Sequence, residues 1–203
     1  MVKNVNNVYS SIREIKRYAV EENVPIMQDD TMDFVTDYIV KNNIKKVLEI
    51  GTAIGYSSIM MALSSPDIKI TTIEKDKERY IEALKNIKKM NLEDRITLVF
   101  NDALLVDLKD KYDLIIIDAA KSKNLEFFEH FESNLDTNGS IITDNLSFHG
   151  YVEKDLNEIS SRNIRGLVKK IRNYKEFLEN NVKYKTKFYD IGDGISVTER
   201  RLW

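Results

Sequence analysis

Oxygen-bearing side chains follow two apolar runs in the second half of the chain. Asp118 comes directly after the run at 112–117, and Asp144 and Asn145 come after the run at 140–143. If both runs are parallel strands, their carboxyl ends share one rim of the sheet, where ligands bind. Two carboxylates and an amide oxygen form a partial, hard coordination shell that suits Mg²⁺ and leaves positions for water or substrate. The alternative is that these residues simply form turns.

A second candidate site begins at a glycine-containing turn, Gly51 to Gly55. Glycine permits a tight turn and close approach of a ligand to the backbone. The G-x-x-x-G spacing differs from the G-x-G-x-x-G that binds a pyrophosphate. Glu74 ends the next predicted strand, where a carboxylate could accept hydrogen bonds from both hydroxyls of a ribose. Alternatively, the glycines only turn the chain and Glu74 caps a helix.

The composition excludes several other kinds of site. The 203 residues include no cysteine and two histidines, His130 and His149, which rules out thiolate zinc sites, cysteine nucleophiles and H-E-x-x-H motifs. A net charge of −2 argues against unspecific coating of nucleic acid. The apolar run 59–63 is too short to span a membrane, and residues 1–10 lack the apolar core of a signal peptide. We therefore expect a soluble, cytoplasmic protein.

The elements that must position these residues alternate along the chain. Short runs rich in Ile, Val and Leu, separated by helical patterns, indicate an α/β fold with a parallel sheet covered on both faces. Two strands joined by the tight link Gly192-Asp193-Gly194 must be antiparallel. We see no domain boundary and predict one domain over 1–203, with N-terminal helices over 1–45. The predicted strands are 47–50, 68–73, 95–100, 112–117, 140–143, 182–191 and 195–200; the predicted helices are 11–22 with Ser10 or Ser11 as N-cap, one capped by Asp29 or Asp30, one through Leu63, 76–90, 124–135 and 161–175.

These motifs resemble those of class I S-adenosylmethionine-dependent methyltransferases. Residues 48–63 with 73–76 are most similar to the bacterial relatives of catechol and caffeoyl-CoA O-methyltransferases. Within that family, the most similar branch O-methylates 5-hydroxyuridine in the tRNA anticodon. The resemblance covers nearly the whole chain, since further matching segments lie at 24–27, 117–121, 144–145 and 192–194.

The resemblance implies a Rossmann-like sheet of seven strands in the order 3-2-1-4-5-7-6, with the last strand antiparallel and helices on both faces. It implies that the N-terminal helices cap the cofactor site and that the protein is a homodimer. It assigns Lys121 as the general base and Asp118, Asp144 and Asn145 as ligands of Mg²⁺. The implied S-adenosylmethionine contacts are Met27, Glu49, Gly51, Ser57, Glu74, Asp102, Ala103 and Asp118.

The implied reaction is methylation of one of two vicinal oxygens that chelate the metal. In 5-hydroxyuridine the 5-hydroxyl and the C4 carbonyl present such an edge, as a catechol does, and the product would be 5-methoxyuridine at the tRNA wobble position. The alternatives are a catechol-like small-molecule O-methyltransferase and an RNA- or nucleotide-binding protein that has lost catalysis. A lone lysine such as Lys121 is otherwise usually a solvated loop charge.

The predicted helix at 161–175 bears on the choice of substrate. It contains six basic residues and no acid. A helical period places Arg162, Arg165, Lys169 and Arg172 on one face, which could contact phosphates of a tRNA anticodon loop. Phe148, His149 and Tyr151 could stack on a base or pack in the protein. The alternative for the basic stripe is an ordinary solvated face.

Overall fold

The computed structural model describes the backbone of residues 2–201 and the side chains of residues 8–201. Seven strands form one sheet: β1 (Lys46–Ile50), β2 (Lys69–Glu74), β3 (Ile96–Phe100), β4 (Tyr112–Ile117), β5 (Leu135–Thr143), β6 (Tyr184–Tyr189) and β7 (Ile195–Arg200). The helices are α1 (Val2–Glu21), α2 (Asp29–Lys41), α3 (Tyr56–Ser64), α4 (Lys77–Lys89), α5 (Asn124–Phe131) and α6 (Arg162–Glu179).

The sheet has the order β3-β2-β1-β4-β5-β7-β6, which confirms the predicted topology. β1 to β5 pair in parallel, and β7 pairs antiparallel with both β5 and β6. Parallel pairing gives β1 to β5 a common polarity, so their carboxyl ends meet at one rim of the sheet. The link between β6 and β7 reaches the same rim because β6 is parallel to β5.

Apolar residues cover both faces of the sheet, as the continuous apolar runs predicted. Successive residues of a strand point to opposite faces, so Leu114 and Ile116 join one core while Ile115 and Ile117 join the other. The first core packs against α1 to α4 and the second against α5 and α6. Burial on both sides fixes the central strands and therefore the positions of the residues at their ends.

Two predicted helix starts are wrong. α1 begins at Val2, so Ser10 and Ser11 lie inside the helix and do not cap it. At α2 the N-cap is Gln28; Asp29 and Asp30 occupy the first turn, where acids favour the helix dipole.

The start of β5 also differs from the prediction. We expected Asn138-Gly139 to form a turn before a strand at 140–143, but both residues lie inside the longer β5. The pairing with β4 shifts register between Tyr112 and Leu114, which accommodates the extra residues. A Cβ on Gly139 would lie 3.0 Å from the Tyr112 carbonyl oxygen, so the close approach of the two strands explains the glycine.

Within residues 2–201, no helix is both long enough and apolar enough to cross a lipid bilayer.

Candidate active site

A cavity of about 410 Å³ lies at the carboxyl ends of the parallel strands. One wall comes from the loop between α1 and α2, and the opposite wall comes from the segments after β4 and β5. The structure therefore brings both candidate sites together in one cavity. The predicted site residues that line it are Met27, Gly51, Ser57, Glu74, Asp102, Ala103, Asp118, Lys121, Asp144 and Asn145.

The turn after β1 closes the floor of the cavity. Gly51 has φ +102°, and its N–H donates to the Ile73 carbonyl at 3.1 Å. A Cβ on Gly51 would lie 2.1 Å from the carbonyl oxygen of Asp118. Only glycine fits this left-handed backbone and this contact, so Gly51 allows the ends of β1 and β4 to approach each other.

Glu74 ends β2, and backbone N–H groups hold its carboxylate in place. Oε2 accepts from Ala53 N–H at 2.8 Å, and Oε1 accepts from Lys75 and Asp76 N–H at 2.9 and 2.8 Å. Asp76, not Glu74, caps α4 by accepting from Arg79 N–H. The helix-cap alternative for Glu74 is therefore wrong, and the fixed carboxylate keeps lone pairs for a ligand.

Glu49 is not among the residues that line the cavity, and its contact with the cofactor stays a prediction. It is fully buried below the turn, where its carboxyl accepts from the hydroxyls of Ser57 and Thr72, both at 2.5 Å, and from that of Ser58. Burial raises the pKa of Glu49, and the three hydroxyl donors oppose that shift. Glu49 thus reaches the cavity only through Ser57, whose hydroxyl it orients.

The residues after β3 and the loop before α2 complete this end of the cavity. Asp102 accepts a hydrogen bond from Leu104 N–H at 3.1 Å, which fixes the short turn that carries buried Ala103. Met27, in the loop before α2, also lines the cavity and is buried, with 4% of its surface exposed. A thioether and a small methyl side chain leave an apolar space suited to a flat ring. Sequence reasoning without the family resemblance gave no chemical reason for Met27.

Asp118, Asp144 and Asn145 meet at the other end of the cavity. Asp118 N–H donates to the Ile50 carbonyl, and Asp144 N–H donates to the Ile117 carbonyl, so backbone bonds align the two residues. Asp144 is 3% exposed; its Oδ1 accepts from Asn145 N–H at 2.6 Å, while its buried Oδ2 has no partner among residues 2–201. A buried carboxylate oxygen without a partner is costly.

The two carboxyl groups also repel each other electrostatically. Burial raises the pKa of Asp118. Burial, followed by the nearby charge of Asp118, raises the pKa of Asp144 to about 7. A cation would remove both penalties, and oxygen donors suit a hard divalent ion. Among the described residues no group of three or more His, Cys, Asp or Glu has metal-binding geometry, so a cation here would also need the amide oxygen of Asn145.

Lys121 lies on a short 3-10 turn, Lys121–Lys123, at the edge of this carboxylate pair. It lines the cavity, and its positive charge lowers the pKa values of both Asp118 and Asp144. The amine is therefore near both carboxyl groups. This position suits a group that takes a proton from a ligand bound between them.

Asp193 is a cavity residue that our sequence analysis did not select. It lies between Gly192 and Gly194 in the link from β6 to β7, and it is 6% exposed. Its Oδ1 accepts from His149 N–H at 2.6 Å, and its charge also raises the pKa of Asp144. In the sequence, Asp193 could have been recognised as an acid flanked by two glycines. The link that carries it follows β6, which ends at the rim.

Two of the four residues predicted to bind RNA have structural partners. Arg165 donates to the carbonyls of Ile159 and Ser160, and Arg172 donates to those of Val152 and Lys154. These carbonyls belong to the irregular segment after β5, which needs donors from outside. Arg162 and Lys169 are exposed, as is Lys170. Arg165 and Arg172 are therefore partly engaged within the protein, and RNA binding by this face stays a prediction.

Known proteins resemble the chain over nearly its whole length. A family model described as O-methyltransferase matches residues 4–201. A caffeoyl-CoA O-methyltransferase of Populus kitakamiensis is 28% identical over 166 residues, which cover 78% of this chain and 71% of the plant protein. A Staphylococcus aureus structure, provisionally named a caffeoyl-CoA O-methyltransferase, is 36% identical with TM-score 0.89 and covers 97% of this chain and 100% of that one. A Bacillus cereus O-methyltransferase in complex with SAH shares the fold, with 24% identity, TM-score 0.81 and coverage of 95% and 91%.

Proposed function

The chain belongs to the O-methyltransferase family, and we propose that it transfers a methyl group from S-adenosylmethionine to one of two vicinal oxygens of an acceptor. One observation carries this proposal. A fixed carboxylate for a ribose, Glu74, and an electrostatically unsatisfied carboxylate pair, Asp118 and Asp144, line the same cavity. This arrangement supports a cofactor at one end of the cavity and an oxygen-bearing acceptor at the other.

In this proposal the β2 and β3 ends bind S-adenosylmethionine. Glu74 accepts a ribose hydroxyl at the lone-pair site of Oε2 that its three backbone donors leave free. The Ser57 hydroxyl donates its hydrogen bond to Glu49, so Ser57 presents lone pairs to the cavity and suits a cationic amino group. Met27 and Ala103 border the space for the adenine, and Gly51 and Asp102 complete the contacts.

The acceptor end fits a divalent cation, for which we propose Mg²⁺. Asp118, Asp144 and Asn145 would hold it, because Asp144 has a buried unpartnered oxygen and the two carboxyl groups need a positive charge. When bound, the cation supplies positive charge beside the acceptor oxygens and S-adenosylmethionine supplies the methyl group. Asp118 lies between the two ends of the cavity and is also a proposed cofactor contact.

Lys121 is the proposed general base. Its amine lies near both carboxyl groups and can receive the proton of an acceptor hydroxyl oriented between them. Buried side chains around the cavity hold these groups in place, so the protein contributes mainly alignment and electrostatic stabilisation.

Two kinds of acceptor present the required pair of oxygens. A catechol-like small molecule is favoured by the relatives, since the Populus protein is named for caffeoyl-CoA and a Vitis vinifera relative, 29% identical, is named for flavonoids. The other is 5-hydroxyuridine at the tRNA wobble position. It is favoured by the exposed cations Arg162, Lys169 and Lys170, because the N-terminus of α6 lies at the rim that carries the cavity.

The deciding experiment measures methyl transfer to 5-hydroxyuridine-containing tRNA and to a catechol, with and without a chelator. We expect transfer that stops when the divalent ion is removed; transfer that ignores the chelator contradicts the proposed cation. Nucleoside mass spectrometry of tRNA from a deletion strain then separates the acceptors. Loss of 5-methoxyuridine supports the tRNA substrate, and an unchanged level rejects it.

Charge reversal tests the tRNA surface separately. Arg162→Glu with Lys169→Glu should weaken tRNA binding about tenfold and flatten its salt dependence, while turnover of a small catechol stays unchanged. The matched control is Lys88→Glu with Lys109→Glu, which reverses two exposed lysines outside α6. An equal loss for both variant pairs would indicate a general charge effect and not a binding face.

A further inference from the structure

The link between β6 and β7 is bound tightly to the segment after Asn145. Leu146 N–H donates to the Gly194 carbonyl and Ser147 N–H donates to the Asp193 carbonyl, both at 2.8 Å. A Cβ on Gly194 would lie 2.3 Å from the Ser147 hydroxyl oxygen, so no larger residue fits there. These contacts fix the backbone of Asp193 beside the acceptor end of the cavity.

Only one of the two carboxylate oxygens of Asp193 has a hydrogen-bond partner among the described residues. Oδ1 accepts from His149 N–H at 2.6 Å, whereas Oδ2 is buried and has no hydrogen-bond partner among residues 2–201. The nearest ionisable donor is Nδ1 of His149, 3.9 Å from Oδ2, which is too far for a hydrogen bond. Burying a carboxylate oxygen without a donor is unfavourable, so the site is complete only when something donates to it.

The acceptor is the component that can supply this donor. Asp193 and His149 line the cavity together with Asp144 and Lys121. The His149 side chain is 68% exposed and borders Oδ2. Because no described residue packs the imidazole fully, a bound molecule can displace it and reach the oxygen below.

We propose that Asp193 determines acceptor specificity by accepting a hydrogen bond from an N–H or O–H group next to the vicinal oxygens of the acceptor. This inference rests on the proposed function and deepens it. A 5-hydroxyuracil carries N3–H beside the C4 carbonyl, and a pyrogallol carries a third hydroxyl beside its vicinal pair. A catechol has only a C–H bond at that position. 5-Hydroxyuracil and pyrogallol therefore share a hydrogen-bond donor next to their two vicinal oxygens.

The test compares acceptors with and without this donor. One pair is 5-hydroxyuridine and its 3-methyl derivative, and the other is pyrogallol and catechol. For the wild-type protein we expect kcat/KM to be about 10- to 100-fold higher for the acceptor that carries the donor. This preference should appear at least in the pair, nucleoside or phenol, to which the natural acceptor belongs. No preference in either pair overturns the inference. The pair that shows the preference identifies the nucleoside or the phenol as the source.

Asp193→Asn supplies the decisive variant. Its amide oxygen keeps the bond to His149 N–H, and its amide nitrogen places a donor where Oδ2 was. The preference should fall to about threefold or less, while the Kd for S-adenosylmethionine stays within about twofold. An equal loss on all four acceptors would show a structural role only. Asp136→Asn is the matched control, because exposed Asp136 also accepts a backbone N–H at 2.6 Å but lies at the other end of β5.

Two further measurements separate this inference from the proposed function. Equilibrium binding of the same four acceptors, with S-adenosylhomocysteine and Mg²⁺ present, should show the same preference. A binding preference without methyl transfer would reject the proposed function and support the role of Asp193. His149→Ala should retain the preference, since it uncovers Oδ2; a preference lost in His149→Ala and kept in Asp193→Asn would assign the selection to His149 instead.

Discussion

The two ends of the cavity satisfy their carboxyl groups in opposite ways. At the cofactor end, Glu74 accepts three backbone N–H groups and Glu49 accepts three side-chain hydroxyls. At the acceptor end, Asp144 and Asp193 each accept one backbone N–H and each leave one buried oxygen without a partner among the described residues. The protein therefore fixes both carboxyl groups of the cofactor end with its own donors, whereas a buried carboxylate oxygen of Asp144 and one of Asp193 are left for ligands.

The backbone differs in a related way. At the cofactor end the left-handed positions are two glycines, Gly51 and Gly55, and Ala53. At the acceptor end three residues other than glycine, Asn145, Phe148 and His149, have positive φ, alongside Gly150, Gly192 and Gly194. Such conformations cost free energy and persist where surrounding contacts impose them. The cofactor end is thus fixed by the protein before a ligand binds, whereas the acceptor end carries electrostatic and conformational cost that bound groups can relieve.

The largest expected effect comes from removing the carboxylate of Asp144, which has a buried oxygen without a partner among the described residues. Asp144→Ala should lower kcat/KM for methyl transfer by about 1,000-fold or more, because it removes a proposed ligand of the cation. The Kd for S-adenosylmethionine, measured by calorimetry, should stay within about twofold. Asp136→Ala serves as the exposed control. Normal turnover in Asp144→Ala would remove the proposed metal role and with it the difference between the two ends.

Lys121→Met should have the next largest effect. The substitution nearly keeps the length of the side chain and removes the amine, so kcat should fall about 100- to 1,000-fold with little change in cofactor affinity. The Lys121 charge lowers the pKa of Asp144, so in the metal-free protein its loss should move the titration of Asp144, followed by NMR, to higher pH. An unshifted titration would contradict the position of Lys121 beside the carboxylate pair.

Glu74→Ala tests the cofactor end. It should weaken S-adenosylmethionine binding about 10- to 100-fold, because it removes hydrogen bonds to a charged acceptor. Saturating cofactor should restore much of kcat, and the affinity for Mn²⁺, measured by electron paramagnetic resonance, should not change. Glu78→Ala, an exposed acid in the first turn of α4, is the control. Loss of Mn²⁺ binding in Glu74→Ala would show that the two ends are not independent.

The smallest expected effect is on stability without metal. The folded-state pKa of Asp144, about 7, lies above the ordinary value of 3.8, so the unfolded chain releases this proton first as pH rises. The group therefore destabilises the metal-free protein progressively from about pH 4 to pH 7. Asp144→Asn should be more stable than the wild type at pH 8, by roughly 1–2 kcal/mol after structural relaxation, and equal near pH 4.

Denaturant unfolding of both proteins at pH 4.5 and pH 8 measures this difference. Added Mg²⁺ at pH 8 should stabilise the wild type more than Asp144→Asn, because the cation binds the ionised carboxylate. A wild type that gains stability between pH 4.5 and pH 8 relative to Asp144→Asn would show that Asp144 ionises easily without a cation. The acceptor end would then be satisfied without ligands, contrary to the comparison.

Much of the fold follows from local patterns in the sequence. Runs of apolar residues on both faces indicate buried parallel strands, and the short Gly-Asp-Gly link requires an antiparallel pair. Since parallel strands share a direction, residues that follow them must reach one rim, so Asp118 and Asp144 could be expected together from the sequence. The start of β5 could not be predicted from the sequence, because the register shift depends on how Tyr112 and Leu135 pair across the sheet.

The role of several polar residues depended on partners distant in sequence. Glu49 has the right position in the motif, yet hydroxyls from α3 and β2 enclose it below the cavity. Arg165 and Arg172 have the right helical spacing, yet carbonyls of the segment after β5 take up their donors. A periodicity shows which face of a helix a residue occupies, but not whether its hydrogen bonds are already used.

By itself the sequence determined the order of strands and helices, the rim at which chemistry could occur and the types of side chain that reach it. Only the tertiary structure decided which of those side chains are satisfied within the protein and which are left for ligands. The physical reason is that strand direction and burial follow from residues adjacent in the chain. Hydrogen-bond saturation and charge repulsion instead depend on atoms that only folding brings within a few ångströms of each other.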